Sequence, residues 1–147
     1  MFRLDDKVAV VTGAGSGIGN AIANTFAANG ARVFVLEHDA PAGNSAVERI
    51  RKTGASADAI ECDVAKAASV AEAFAQVDRM AGRVDILINN AGIAHVGTAE
   101  NTAEADFDRI YSVNVKGVYL CSQAGIKIML REGGGLILNL ASIASLI

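Results

Sequence analysis

The stretch Val8-Ala9-Val10-Val11-Thr12-Gly13-Ala14-Gly15-Ser16-Gly17-Ile18-Gly19 governs the reading of this chain. An apolar run breaks after Val11 into a glycine-rich turn, and a helical pattern follows at once. A buried strand that feeds a helix through such a turn leaves backbone N–H groups unblocked. They stand before a positive helix N-terminus, where an anionic phosphate can sit. The pattern is T-G-x-x-x-G-x-G on Thr12, Gly13, Gly17 and Gly19; the general G-x-G-x-x-G fingerprint is absent. Each glycine can answer a physical need: a left-handed turn, close approach of backbone to a pyrophosphate, or tight helix–strand packing. An ordinary glycine-rich βα loop is the plain alternative.

Outward from this turn, short runs rich in Val, Ile and Leu alternate with longer segments of helical period. Strands are expected over 7–11, 32–36, 57–62, 84–88 and 135–140. Runs that are apolar without clean alternation suit strands buried on both faces of a parallel sheet. Helical stripes fall on Ile18, Ile22 and Phe26, then on Val70, Phe74, Val77 and Ala81. A third, longer stripe runs Phe107, Tyr111, Asn114, Val118, Cys121. Gly30, Gly54 and Gly82 sit where helices should end. The expectation is an α/β fold, a doubly wound parallel sheet with right-handed crossovers. Asn114 breaks its apolar stripe. A buried amide there must be hydrogen-bonded, either as a satisfied core residue, as a point of helix distortion, or as a functional group.

Composition narrows the function classes. With 147 residues, one domain over 1–147 is expected, and 52% hydrophobic content with no Trp and one Pro fits a packed core. A net charge of −3 with scattered basic residues argues against nucleic acid or an anionic membrane as the main partner. The N-terminal residues do not read as a signal peptide, and no stretch is long and apolar enough to span a bilayer. Cys62 and Cys121 match no metal or redox spacing and read as reduced core thiols, so no metal site is expected and the cytoplasm is the default compartment.

The strand ends carry the chemistry. Glu37 lies eighteen residues beyond Gly19, at the tip of the second strand. A carboxylate there can accept hydrogen bonds from both hydroxyls of an adenosine ribose and would repel a 2′-phosphate. NAD is therefore expected over NADP, although a solvated acidic strand end is the bland reading. The third strand ends in Cys62-Asp63-Val64 and the fourth in Asn89-Asn90-Ala91-Gly92, which could also be turn chemistry alone. Ligands of open α/β sheets bind at the carboxyl ends of strands, where all these residues gather.

In these residues the chain resembles the classical short-chain dehydrogenases/reductases, over essentially its whole length. The resemblance rests on Thr12–Gly19, Asn89-Asn90-Ala91-Gly92, Val113-Asn114-Val115-Lys116-Gly117 and Asn139-Leu140-Ala141-Ser142, in that order and spacing. It implies an NAD(P)-binding Rossmann fold with seven strands, homodimeric or homotetrameric assembly, and hydride transfer between NAD(P) and an alcohol–carbonyl pair. Carried over by position, it implies that Gly13, Ser16, Gly17, Ile18 and Gly19 hold the pyrophosphate and its neighbours. Glu37 resembles the ribose ligand of NAD-preferring members; Asp63 and Val64 would border the adenine, and Asn90, Ala91 and Gly92 would line the adenosine side. Ser142 matches the serine that hydrogen-bonds the substrate oxygen, and Asn114 the asparagine whose helix bulge holds a proton-relay water.

One element of the family pattern is missing. The family's acid/base is a tyrosine followed four residues later by a lysine, about a dozen residues beyond Ser142. Here Tyr111 is followed at that spacing by Val115, and Tyr119 by Gln123. The run from Leu136 to Ile147 is almost wholly apolar. The expectation is a Rossmann domain truncated after its fifth strand, the N-terminal part of a longer NAD-dependent oxidoreductase. A catalytically inactive NAD-binding module, acting as sensor or interaction protein, is the alternative. An S-adenosylmethionine methyltransferase shares the glycine turn and the acid, but Asn89–Gly92 and Asn139–Ser142 speak against it.

Overall fold

Residues 3–142 are described by a computed structural model. Five parallel strands, β1 (Val8–Thr12), β2 (Arg32–Glu37), β3 (Ala57–Glu61), β4 (Ile86–Asn89) and β5 (Leu136–Asn139), form one sheet in the order β3-β2-β1-β4-β5. The helices are α1 (Gly17–Ala28), α2 (Ala40–Arg51), α3 (Ala67–Ala81), α4 (Glu104–Tyr111) and α5 (Gly117–Met129). All five expected strands form, each within two residues of its expected bounds.

Every residue of β1 is buried, which is why its sequence shows no alternation. Alternate side chains of β1 and β2 enter two different cores. Val8, Val10, Phe34 and Leu36 pack with α3 and α5 through Val70, Phe74, Val77 and Cys121. Ala9, Val11, Val33 and Val35 pack on the opposite face with Ala23 and Ala27 of α1 and Val47 and Ile50 of α2. Helices thus cover both faces, the doubly wound arrangement. Chain order reverses between β1 and β4, so the crevice for a ligand is expected at their carboxyl ends.

Two elements add detail to the sequence reading. No apolar stripe was drawn for the helix expected to end at Gly54; α2 fills that place, with the Asp39 carboxylate accepting from the Ala42 N–H at 3.1 Å and Pro41 in the first turn. That pairing of cap and proline was a readable start signal. The third stripe is interrupted where a helix distortion at Asn114 was expected: Ser112–Lys116 forms a π-helical turn between α4 and α5. The expected long apolar end runs past the described residues, since 143–147 lie outside them. Leu136 and Leu138 of β5 are half exposed, while Ile137 packs into the core beside α5.

Candidate functional site

Thr12 closes β1 and ties the switch point together. Its hydroxyl, 1% exposed, accepts from the backbone N–H groups of Asn90 (3.1 Å) and Ala91 (3.0 Å). The Asn90 side-chain amide returns the link, donating to the carbonyls of Thr12 (2.9 Å) and Gly13 (3.0 Å). The glycine turn and the end of β4 are therefore one braced unit.

Within that unit the glycines do different work. Gly13 has φ +64°, and a Cβ added there would lie 2.8 Å from the Ala91 Cα. A Cβ on Gly19 would fall 2.3 Å from the Asn90 amide nitrogen and 2.5 Å from the Gly13 carbonyl, so α1 can approach the turn only without a side chain there. Gly17 is the opposite case. It has φ +55°, yet a Cβ there would meet no atom within 4 Å. The chain takes a left-handed turn toward open space, which is what a loop that must let a ligand approach its backbone requires. Ser16 caps α1 with extended backbone (φ −149°, ψ 177°), but its hydroxyl makes no capping bond, and no acidic residue occupies the first turn. Among the described residues, no side-chain cap and no acidic residue of the first turn compensates the positive end of α1.

A cleft of about 690 Å³ opens in front of this turn, within the range of small-molecule sites. Of the residues singled out from the sequence, Gly13, Ser16, Ile18, Glu37, Asp63, Val64, Asn90, Ala91 and Gly92 all line it. Ile18 is 67% exposed despite being apolar. Gly17 and Gly19 are not part of this lining; the first faces open space and the second is the packing contact under the turn. The lining also includes His38, Cys62 and Val113, with Ala65, Ile93, Arg109 and Ser112, which the sequence did not mark. Motif spacing alone gave no sign of Arg109 or Ser112, which α4 and the π turn bring to the mouth of the cleft.

Glu37 ends β2. One carboxylate oxygen accepts from the Gly15 N–H (2.9 Å) and the other from the Asp39 N–H (3.2 Å). Among the described residues it forms no ion pair, and Glu61 stands opposite it in the β2–β3 register. Such a carboxylate suits a hydroxyl pair and opposes a phosphate. Asp63 follows β3. Partial burial pushes its carboxyl up, but the Lys66 ammonium at 3.0 Å, the Ala65 N–H at 3.1 Å and the charge of His38 outweigh this and hold it below the usual range. It is a fixed anion at the cleft wall. Cys62 beside it is an inert thiol, pushed up to about 11 by burial, as Cys121 is to about 12.

Asn114 lies in the π turn and is exposed, contrary to the expectation of a buried amide on an apolar helix face. The stripe is itself exposed at this end, with Phe107 and Tyr111 more than half accessible, and becomes buried only at Cys121. Its Oδ1 accepts from the Ile93 N–H and its Nδ2 donates to the Ile93 carbonyl, both at 2.9 Å. One side chain thus pairs with both backbone groups of a single loop residue, pinning the chain that leaves β4 along the cleft wall. Ser142 lies beyond the end of β5, at the carboxyl edge of the sheet, and is exposed. Neither Asn114 nor Ser142 lines the cleft itself. At the end of β4, Asn89 is 3% exposed and its Nδ2 donates to the Ser122 hydroxyl (3.0 Å) and to the Asn139 side-chain Oδ1 (2.8 Å), binding α5 and β5 to β4. The arrangement suits a dinucleotide: a helix terminus for its anionic middle, a carboxylate for a ribose diol, and an open glycine backbone between them.

A model of the family described as short chain dehydrogenase matches residues 7–147. The chain is 43% identical over 144 residues to D-threitol dehydrogenase of Mycolicibacterium smegmatis, covering 98% of this chain and 55% of that protein. In structure it is similar to a 7α-hydroxysteroid dehydrogenase complexed with NADH and 7-oxo glycochenodeoxycholic acid, with TM-score 0.94 and 39% identity, covering 100% of this chain and 59% of that one. It is also similar to a hydroxysteroid dehydrogenase from Escherichia coli, with TM-score 0.91 and 40% identity over 95% of this chain and 59% of that one. The chain spans little more than half the length of the curated relatives that it matches.

Proposed function

This chain belongs to the short-chain dehydrogenase family, and from that membership we propose an NAD-dependent oxidoreductase acting on an alcohol–carbonyl pair. The observation that carries the proposal is the cleft at the β1/β4 switch point. It joins the uncapped α1 N-terminus, the open backbone at Gly17 and the carboxylate of Glu37, which among the described residues pairs with no cation. Bound there, a nicotinamide dinucleotide supplies the site that accepts or donates a hydride. The N–H groups of the turn, with Ser16, Gly17 and Ile18, hold the pyrophosphate against the helix end. Glu37 takes the ribose hydroxyls and rejects a 2′-phosphate, which favours NAD; Asp63 and Val64 border the adenine, and Ala91 and Gly92 the adenosine side. Asn90 contributes through the turn that its amide braces. The solved relative bound to NADH supports the same choice of cofactor.

On the substrate side, Ser142 hydrogen-bonds the reacting oxygen. Asn114 holds the Ile93 loop and borders a water path for proton exchange, a role that the π turn supports. The dehydrogenase names of the relatives favour this reading over an inactive binding module. We also read the protein as a cytoplasmic homo-oligomer, dimer or tetramer. Phe107, Tyr111, Val115 and Tyr119 form an exposed apolar stripe four residues apart along α4, the π turn and α5, with Phe107 and Tyr111 stacked at 6.3 Å. No helix among the described residues is long and apolar enough to cross a membrane. The test is a panel of secondary alcohols, polyols and hydroxysteroids, assayed with NAD by the absorbance of the reduced nicotinamide. Turnover that Ser142→Ala lowers in kcat supports the assignment; turnover indifferent to that change removes Ser142 from it.

A further inference from the structure

Glu37 carries one more methylene than an aspartate would, so its carboxylate has an extra torsion to fix before it can present a defined pair of acceptors. The structure fixes it with two glycines. A Cβ on Gly15 would lie 2.9 Å from both the Glu37 Cγ and its Oε2, and 3.0 Å from the Ala42 Cβ. From the other side, a Cβ on Gly43 would lie 3.1 Å from the Glu37 Cβ. Both glycines are buried and neither has positive φ, so their backbones do not demand glycine. Gly43 in fact stands inside α2, where glycine is less favourable than alanine by about 1 kcal/mol. The absence of a side chain at these two positions is explained by the room that it gives Glu37. In that room Glu37 reaches the Gly15 N–H at 2.9 Å, and Asp39 N–H at 3.2 Å holds its second oxygen.

We propose that Gly15 and Gly43 are specificity-determining residues: they form a slot that sets the Glu37 carboxylate, and the preference for an unphosphorylated ribose depends on the slot. The inference rests on the cofactor reading above and deepens it. An alanine at Gly15 fills the space that Glu37 occupies and separates the carboxylate from the Gly15 N–H. The side chain then swings out of register with the ribose diol. Two losses follow together, of diol recognition and of the fixed charge that opposes a 2′-phosphate. Glu61, opposite in the sheet, keeps part of the repulsion but cannot reproduce its geometry.

The experiment is calorimetric titration of the full chain with NADH and with NADPH, for wild type, Gly15→Ala, Gly43→Ala, Glu37→Ala and the Gly15→Ala/Glu37→Ala pair. In Gly15→Ala the NADPH/NADH ratio of dissociation constants should fall about tenfold, the scale of one charge-assisted hydrogen bond. Gly43→Ala should shift it the same way, and a melting curve of each variant separates this shift from any loss of folding, since the helix gain at Gly43 is set against the 3.1 Å contact with the Glu37 Cβ. Adding Gly15→Ala to Glu37→Ala should leave the ratio where Glu37→Ala put it, because the glycine acts only through the glutamate. If Gly15→Ala weakens both cofactors in step and keeps the ratio, the slot has no part in specificity and the proposal is overturned while the cofactor reading stands. If Glu37→Ala itself leaves the wild-type ratio, the cofactor reading fails, and the slot's role fails with it.

Discussion

Replacing Thr12 by valine deletes one hydroxyl and keeps the branched shape, so the change isolates the brace between β1 and β4. In the wild type that hydroxyl accepts from two backbone N–H groups, Asn90 at 3.1 Å and Ala91 at 3.0 Å, beside a side chain that is 1% exposed. Valine cannot accept either bond. Each stranded, partly buried donor costs about 1–3 kcal/mol. Water at the edge of the cleft can reach these amides in part, so a total of about 2–4 kcal/mol is expected. In a chain of this size that lowers the melting temperature by about 5–15 °C. Thr12→Ser keeps the acceptor and loses only a methyl group, so it should fall well short of the valine variant. The assay is thermal unfolding followed by circular dichroism, with both variants and wild type at one concentration and salt. Because the brace sets the glycine turn, Thr12→Val should also weaken NADH binding. A Thr12→Val protein that melts within about 2 °C of wild type, or no lower than Thr12→Ser, would refute the reasoning.

Three further outcomes follow from the same geometry. Gly17→Ala meets no protein atom but must hold φ +55°, so it should cost about 1–2 kcal/mol of stability. Its loss of dinucleotide affinity should be larger than that cost, which parallel melting and binding measurements separate. Asp85 is pushed up by burial, but the Arg83 guanidinium, the Val8 N–H at 2.9 Å and the charge of Lys7 outweigh it and hold the carboxyl low. A depressed folded-state value gives stability that is full above the ordinary carboxylate range and is lost as pH falls through the lowered value. Urea midpoints should therefore drop steeply in acid for wild type and more gently for Asp85→Asn, and parallel profiles would contradict this. Cys62 and Cys121, held protonated by burial to about 11 and about 12, should resist thiol reagents at mildly alkaline pH and react fully once urea unfolds the chain. Rapid labelling of the folded protein would show that burial does not control them.

Much of this was legible because it is local. The apolar runs of β1 and β2 have no alternation since both faces are covered, and the T-G-x-x-x-G-x-G turn announced the strand-to-helix corner. The place of Glu37 at the end of β2 was legible from spacing alone, since a strand end after one βα unit returns to the same sheet edge. What stayed hidden depends on tertiary contacts. The distortion at Asn114 was legible from the polar break in its stripe and from the resemblance, but its partner was not: the amide pairs with Ile93, a residue on another segment. The slot around Glu37 was equally invisible, because nothing in the spacing of Gly15 and Gly43 shows that they flank one side chain. α2 was legible in part: Gly54 marked its end and the cap and proline were in plain view, but its low hydropathy concealed the short buried face of Ala46, Val47 and Ile50.

The most direct test of the central claim is calorimetric titration of the wild-type chain with NADH, repeated with NADPH under the same buffer and salt. The cleft at the β1/β4 switch point predicts saturable one-to-one binding of NADH, with NADPH weaker by about tenfold or more. Equal affinity for the two would contradict the assignment of Glu37, and no saturable binding of either would contradict the cleft as a dinucleotide site.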